Sequence, residues 1–230
     1  MKITAAGLEL LNFSQHTLAE WKKVKWELQQ DHQLLQGELS LFCSVTASYS
    51  HLPKLVNNFR HKYPRVEIHL STGDPALSVA KVLQQEADVA IAIHTPDFPP
   101  ELHFLPIEDV PLVLIAPKDT LLQHLHQVDW RRHSMILPES GPTKRIVHHW
   151  FSEKGIRPRV YATVGGNEAI VSMVALGCGL GIVPQVVLDN SVVSNKVNRI
   201  EIKDIEPYKL GLCCLQKRAA EPAIKALFSC

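Results

Sequence analysis

Four short segments concentrate the side chains able to hold a small polar ligand. They are Ser44-Val45-Thr46-Ala47-Ser48, Ser71-Thr72-Gly73-Asp74-Pro75, Pro138-Glu139-Ser140-Gly141-Pro142-Thr143 and Val164-Gly165-Gly166-Asn167-Glu168. Hydroxyls, an amide and the free N–H groups of a helix start can together bind a carboxylate without a buried cation. The same residue types also build ordinary helix caps and tight turns, so one such segment alone says little. Lys144 and Arg145 follow the third segment, where they can add positive charge or face water.

Other candidate chemistry is weaker. Gly177-Cys178-Gly179-Leu180-Gly181 has the spacing of a dinucleotide fingerprint. Here a helix precedes it and a strand follows, the reverse of the order that brings a phosphate to a helix N-terminus. The glycines read instead as a tight helix-to-strand turn with close packing. Neither a GxxxxGK[ST] loop nor a GxSxG elbow occurs. The pairs His124-x-His126 and His148-His149 lack a carboxylate or cysteine at ligand spacing, so no metal site is expected. No residue is singled out as catalytic, and the chain does not read as an enzyme.

The five cysteines are odd in number and lack CxxC spacing, which fits reduced thiols in a cytoplasmic protein. The 230 residues are 46% apolar and 20% charged, the balance of a folded chain with one large or two small domains. Twenty-four Lys and Arg against 23 Asp and Glu exclude a basic nucleic-acid surface over the whole chain. No apolar run is long enough to span a bilayer, and the N-terminus lacks the apolar core of a secretory signal.

These segments need elements to position them. Residues 4–36 read as one helix, with Leu11, Leu18, Trp21, Leu28 and Leu35 on a heptad seam and Gly37 as its stop. A long helix with an apolar stripe asks for a partner helix, most simply from a second copy of the chain. Beyond Gly37 the pattern changes to alternating strands and helices. Strands are expected at Glu38–Val45, Val66–Leu70 and Ala87–Ile93, with helices at His51–Lys62 and Pro75–Glu86 between them. Further strands fall at Leu112–Ala116, Ser134–Leu137, Arg159–Val164, Leu180–Val183, Arg199–Ile202 and Lys209–Leu215. Helices are expected from Gly141 to about Lys154, at Asn167–Leu176, from Pro184 to Asp189 and at Glu221–Phe228.

This order predicts an α/β fold of two Rossmann-like subdomains joined by two crossings, near Glu108–Pro111 and Glu206–Pro207. The expected division is 1–36 for the helix, 37–110 with 206–230 for one subdomain and 111–205 for the other. The four polar segments then sit at strand ends around one cleft, where α/β sheets bind ligands.

The chain resembles the LysR-type transcriptional regulators over nearly its whole length. The likeness is carried by Thr4-Ala5-Ala6-Gly7 with Leu10-Leu11, by Leu52-Pro53 with Phe59-Arg60 and Tyr63-Pro64-Arg65-Val66, by Glu86-Ala87-Asp88-Val89-Ala90-Ile91, and by Val174-Ala175-Leu176-Gly177-Cys178-Gly179-Leu180-Gly181-Ile182-Val183-Pro184. It implies a type 2 periplasmic-binding-protein-like fold behind a linker helix that dimerises, with tetramers in the full protein. It implies effector binding at Ser44, Thr46, Thr72, Gly73, Ser140, Gly141 and Asn167. It also implies a winged helix-turn-helix ahead of Thr4, so that promoter DNA is read by a domain this chain lacks. Within the family, FCSVTASYSHLP and YATVGGNEAIVSMVALGCG are similar to members that activate branched-chain amino acid biosynthesis. That closer likeness implies acetolactate or acetohydroxybutyrate as inducer and no other cofactor. A stand-alone small-solute receptor of the same two-domain architecture is the alternative.

Overall fold

The computed structural model describes residues 4–27 and 35–230. Helix α1 covers Ala5–Glu27, about 35 Å at 1.5 Å per residue. Thr4 opens it: its Oγ1 accepts the Gly7 N–H at 3.1 Å. Leu11, Leu18 and Trp21 are exposed along it, Trp21 to 63%. The expected seam position Leu28 lies outside the described residues. Leu35 and Gly37 correct the expectation of a helix reaching residue 36. Leu35 is 6% exposed and belongs to the core of the body, not to a helix surface. Gly37 lies inside a strand and pairs with Val66. Leucine at heptad spacing satisfied the seam and the body core equally well, so periodicity alone could not assign it.

The body holds two five-stranded sheets. In chain order the first half runs β1 (Gln36–Ser44), α2 (Val45–Ser50), α3 (Leu52–Lys62), β2 (Arg65–Gly73), α4 (Ser78–Leu83), β3 (Val89–His94) and β4 (Leu102–Val110). The second runs β5 (Leu112–Pro117), β6 (Ser134–Pro138), α5 (Gly141–Glu153), β7 (Arg159–Val164), α6 (Asn167–Ala175), β8 (Leu180–Pro184), α7 (Gln185–Asp189) and β9 (Val197–Glu201). Strand β10 (Tyr208–Leu215) and helix α8 (Pro222–Phe228) close the chain. The sheet orders are β2-β1-β3-β10-β4 and β7-β6-β8-β5-β9. The chain therefore crosses between sheets twice, at Pro111 and again between β9 and β10.

Strands β1, β2 and β3 are parallel, as are β6, β7 and β8, while β10 and β5 run antiparallel to their neighbours. The innermost strands β3, β5 and β8 are almost wholly buried, matching their continuous apolar sequences. Strand β4 was not expected from the sequence. It is an edge strand with Pro106 in the middle, and its pairing with β10 slips between Leu210 and Gly211. Proline is confined to such edges and bulges because it cannot donate to the ladder.

One apolar cluster draws residues from both sheets, including Leu41, Val89 and Leu212 of the first and Leu114, Met135 and Ile182 of the second. The first sheet also carries a buried ionic group. Arg218 donates to both oxygens of Glu221 at 2.7 and 2.8 Å and to Asp88 at 2.7 Å. Asp88 also accepts from the Ser40 N–H and hydroxyl at 2.8 and 2.7 Å. Burial by itself would lower the Arg218 pKa, but the Glu221 and Asp88 carboxylates outweigh it and raise it. The second sheet uses rings instead: Trp130 stands edge to face with Trp150 and Phe151, and those two are tilted against each other, with centroids 5.4–5.9 Å apart.

Candidate functional site

The loops leaving β1 and β7 meet between the sheets. Ser44 ends β1 and caps α2, its Oγ accepting the Ala47 N–H at 3.1 Å. Thr46, the second residue of α2 and 3% exposed, donates its hydroxyl to Glu168 Oε1 at 2.5 Å. Glu168 lies in the first turn of α6, on the other sheet's side, so this bond spans the cleft.

A second polar chain spans it nearby. The Tyr208 hydroxyl, from β10, donates to Thr143 Oγ1 in α5. Thr143 in turn donates to Asn167 Oδ1 at 2.9 Å. All three residues are buried. Burial raises the Tyr208 pKa, against the opposing pull of its bonds to Thr143 and Asn167, so the phenol stays a donor. On the near wall Ser50 Oγ meets His51 Nδ1 at 2.7 Å, and His51 Nε2 meets Glu108 at 2.9 Å.

Ser44, Thr46, Ser50, His51, Asn167 and Tyr208 of this set line a cavity of about 40 Å³, while Glu168, Thr143 and Glu108 do not reach it. No Lys or Arg lines it. Of the seven residues expected to bind effector, the fold gathers Ser44, Thr46 and Asn167 here. The other four lie elsewhere. Thr72 is exposed on β2 opposite Cys43, and Gly73 packs against the Phe42 ring. Ser140 is exposed, with no side-chain cap to α5. Gly141 has φ +81°, and a Cβ there would meet Ala76 Cβ at 2.9 Å, a close approach of the two halves. Glycine is what both the positive φ and that contact demand.

Lys144 turns back onto the Glu139 carbonyl at 2.9 Å, and Arg145 pairs with Asp97 at the end of β3. A larger cavity of about 480 Å³ lies beside that pair, between Asp97, Trp150, Asp204 and Glu206. Two of its carboxylates are paired: Arg145 holds Asp97 and Lys154 holds Asp204. The glycine run 177–181 makes the tight turn the sequence implied. Gly177 has φ +82° just after α6, and a Cβ on Gly181 would meet Ile170 Cγ2 at 2.4 Å. Glu168 and Thr143 sat within segments noted from sequence, but nothing there marked them as bridging. Tyr208 carried no local signal, since its partners are 65 and 41 positions away along the chain.

A sequence profile described as the LysR substrate binding domain matches residues 32–230. The HTH-type transcriptional activator IlvY of Haemophilus influenzae is 39% identical over all of this chain and 80% of that protein. The chain belongs to the LysR family of transcriptional regulators. The HTH-type transcriptional regulator IlvY of Escherichia coli is 43% identical over 98% of this chain and 79% of its own length. These LysR-family relatives are regulators of transcription, not enzymes. Solved structures share the fold. The effector binding domain of QuiR in complex with shikimate aligns with a TM-score of 0.73 at 20% identity, over 85% of this chain and 95% of that one. The Synechocystis CcmR regulatory domain in complex with 2-PG aligns at 0.67 and 26% identity, over 79% and 88%. The architecture expected from the sequence, two α/β subdomains of the LysR effector-binding type behind an N-terminal helix, is the one found. Among the described residues no helix is long and apolar enough to cross a membrane.

Proposed function

We propose that this chain is the effector-sensing part of a LysR-type activator of branched-chain amino acid biosynthesis, induced by acetolactate or acetohydroxybutyrate. The observation that carries the reading is the hydroxyl- and amide-lined cleft between the sheets, bridged by Thr46–Glu168 and Tyr208–Thr143–Asn167. The identity of 39–43% to IlvY regulators supports the pathway. Such a cleft suits a small hydroxy-keto acid, whose carboxylate and other oxygens take directed hydrogen bonds from hydroxyls and N–H groups. The units are 37–110 with 206–230, and 111–205, behind the N-terminal segment that holds α1. Effector acts by binding one arrangement of the two units better than another, since equal affinity shifts nothing.

The exposed face of α1 pairs with a second copy, giving a dimer and, in the full protein, a tetramer. Promoter DNA is contacted by a winged helix-turn-helix preceding Thr4. Three fully buried free cysteines fit a reducing cytoplasm. Calorimetry with acetolactate, with pyruvate as control, tests the effector. Saturable binding of acetolactate alone supports the reading; no heat with acetolactate or acetohydroxybutyrate removes the pathway while leaving the family in place.

A further inference from the structure

We propose that Tyr208 is a positioning residue for ligand recognition: through Thr143 it turns the Asn167 side-chain amide so that an N–H, and not the carbonyl, meets a ligand oxygen in the cleft. The proposal rests on the reading of this cleft as the effector site.

A hydroxyl has one hydrogen to give. Tyr208 gives its own to Thr143 Oγ1, and Thr143 gives its own to Asn167 Oδ1 at 2.9 Å. With the phenol hydrogen already on its oxygen, Thr143 directs its hydrogen at Asn167, which answers with its carbonyl. Without the phenol hydrogen, Thr143 accepts from the amide as readily as it donates to it, and the two amide orientations interchange. The phenol therefore decides which end of the amide faces Thr143.

The end left over is the NH2. Asn167 is 6% exposed and lines the cavity, as Tyr208 does. Of the two amide hydrogens, at most one meets the Tyr208 oxygen, and no described residue accepts the other. Asn167 is also the first residue of α6, whose start no side chain caps. Side-chain and main-chain N–H groups stand together there, and they suit a carboxylate or carbonyl oxygen. An ammonium group finds neither an acceptor in these N–H groups nor an Asp or Glu among the lining residues.

The chain of bonds joins the two units. Tyr208 lies in β10 of the first sheet, while Thr143 and Asn167 belong to α5 and α6 beside the second. Parting the units withdraws the phenol and frees the amide to turn. A ligand oxygen on Asn167 is thus held best in the closed arrangement, which is the differential affinity an effector must have.

A double-mutant cycle on the 230-residue chain tests this, with Tyr208→Phe, Asn167→Ala and both together, read by calorimetry with acetolactate. Asn167→Ala is expected to weaken binding about 10-fold to 100-fold, and Tyr208→Phe about 10-fold. In the Asn167→Ala background, Tyr208→Phe should cost no more than about twofold, because the phenol has no amide left to orient. No loss with Tyr208→Phe alone, or an equal loss in both backgrounds, overturns the proposal and leaves the effector reading standing. The Asn167 side-chain amide supplies a second readout without ligand. Its two hydrogens should give separate, slowly exchanging nuclear magnetic resonance signals, with faster exchange in Tyr208→Phe. If wild type does not bind acetolactate, the effector reading falls. Faster amide exchange in Tyr208→Phe would then keep Tyr208 as the group that orients the amide, and unchanged exchange would remove that too.

Discussion

The two sheets share one plan and stabilise it by opposite means. Each places three parallel strands beside an antiparallel strand that continues from the other sheet's side, with one more strand at the edge. The first binds its C-terminal helix through Arg218, Asp88 and Glu221, all buried. The second carries instead a cluster of Trp130, Trp150 and Phe151 rings. A buried ion group is demanding in geometry and costly to break singly, whereas an apolar cluster yields in proportion to the atoms lost. The joint between the sheets adds a few hydrogen bonds around a small cavity to the apolar cluster that the two share. On the proposed effector reading, that seam is where a ligand acts.

The contrast can be broken most sharply at Arg218. Arg218→Ala removes the one cation shared by two buried carboxylates and is expected to cost about 3–5 kcal/mol in urea unfolding. A loss under 1 kcal/mol would mean that the ionic group adds nothing the apolar core lacks. The close-packed glycines come next, one in each sheet. A Cβ on Gly211 would lie 2.3 Å from the Leu105 carbonyl oxygen, a backbone atom held by pairing. A Cβ on Gly181 would meet only side chains, Ile170 and Val174 at 2.4 and 3.2 Å and Ile115 at 3.6 Å. Gly211→Ala should therefore cost about 2–3 kcal/mol and Gly181→Ala nearer 1 kcal/mol, by thermal or chemical melts. The reverse order would show that the second sheet is the less forgiving.

Thiol labelling separates the units without mutation. Cys43, Cys213 and Cys214 all lie in the first sheet, and burial pushes them up to about 11, 12 and 12. They are thiols at neutral pH and should resist iodoacetamide until that sheet opens. Ring signals from Trp130 and Trp150 report the second sheet. Because one apolar cluster joins the two, labelling and near-ultraviolet dichroism should trace a single transition in urea. Separate midpoints would divide the body into independent halves. The smallest effect concerns acid. Lys154, with Trp150, holds the Asp204 carboxyl below its usual range, so this contribution is present above the ordinary carboxylate value near 4. It fades as pH falls through the lowered value. Lys154→Ala should flatten the acid limb of stability against pH slightly, and added salt should hide the difference.

Much of this was legible in the residues. Arg159–Val164 reads as a strand because Val160, Tyr161, Thr163 and Val164 favour extended backbone between Pro158 and Gly165, and it is β7. Pro142 and Gly141 announced α5, and Ala87–Ile93 announced a strand buried on both faces. Strand β4 stayed hidden because Pro106 and the polar Glu108-Asp109 argue against a strand unless its edge position is known. Leu35 was misplaced for a similar reason: what covers it comes from distant parts of the body. The site was legible only in outline. Ser44, Thr46 and Asn167 announce caps, and caps cluster at strand ends, which is where clefts form. Which caps face each other across the cleft depends on sheet order, and Thr46 and Glu168 are separated by 122 positions.

The hydrogen bonds that bridge the cleft have a kinetic meaning. On the proposed effector reading, a ligand that must displace the Thr46–Glu168 and Tyr208–Thr143–Asn167 bonds waits for the halves to part. Observed association should then level off with rising ligand concentration at the opening rate, far below the encounter limit. Measured affinity carries the same tax, weakened by the fraction of time the cleft stands open. A regulator built this way responds to sustained metabolite levels and is slow to register a brief pulse.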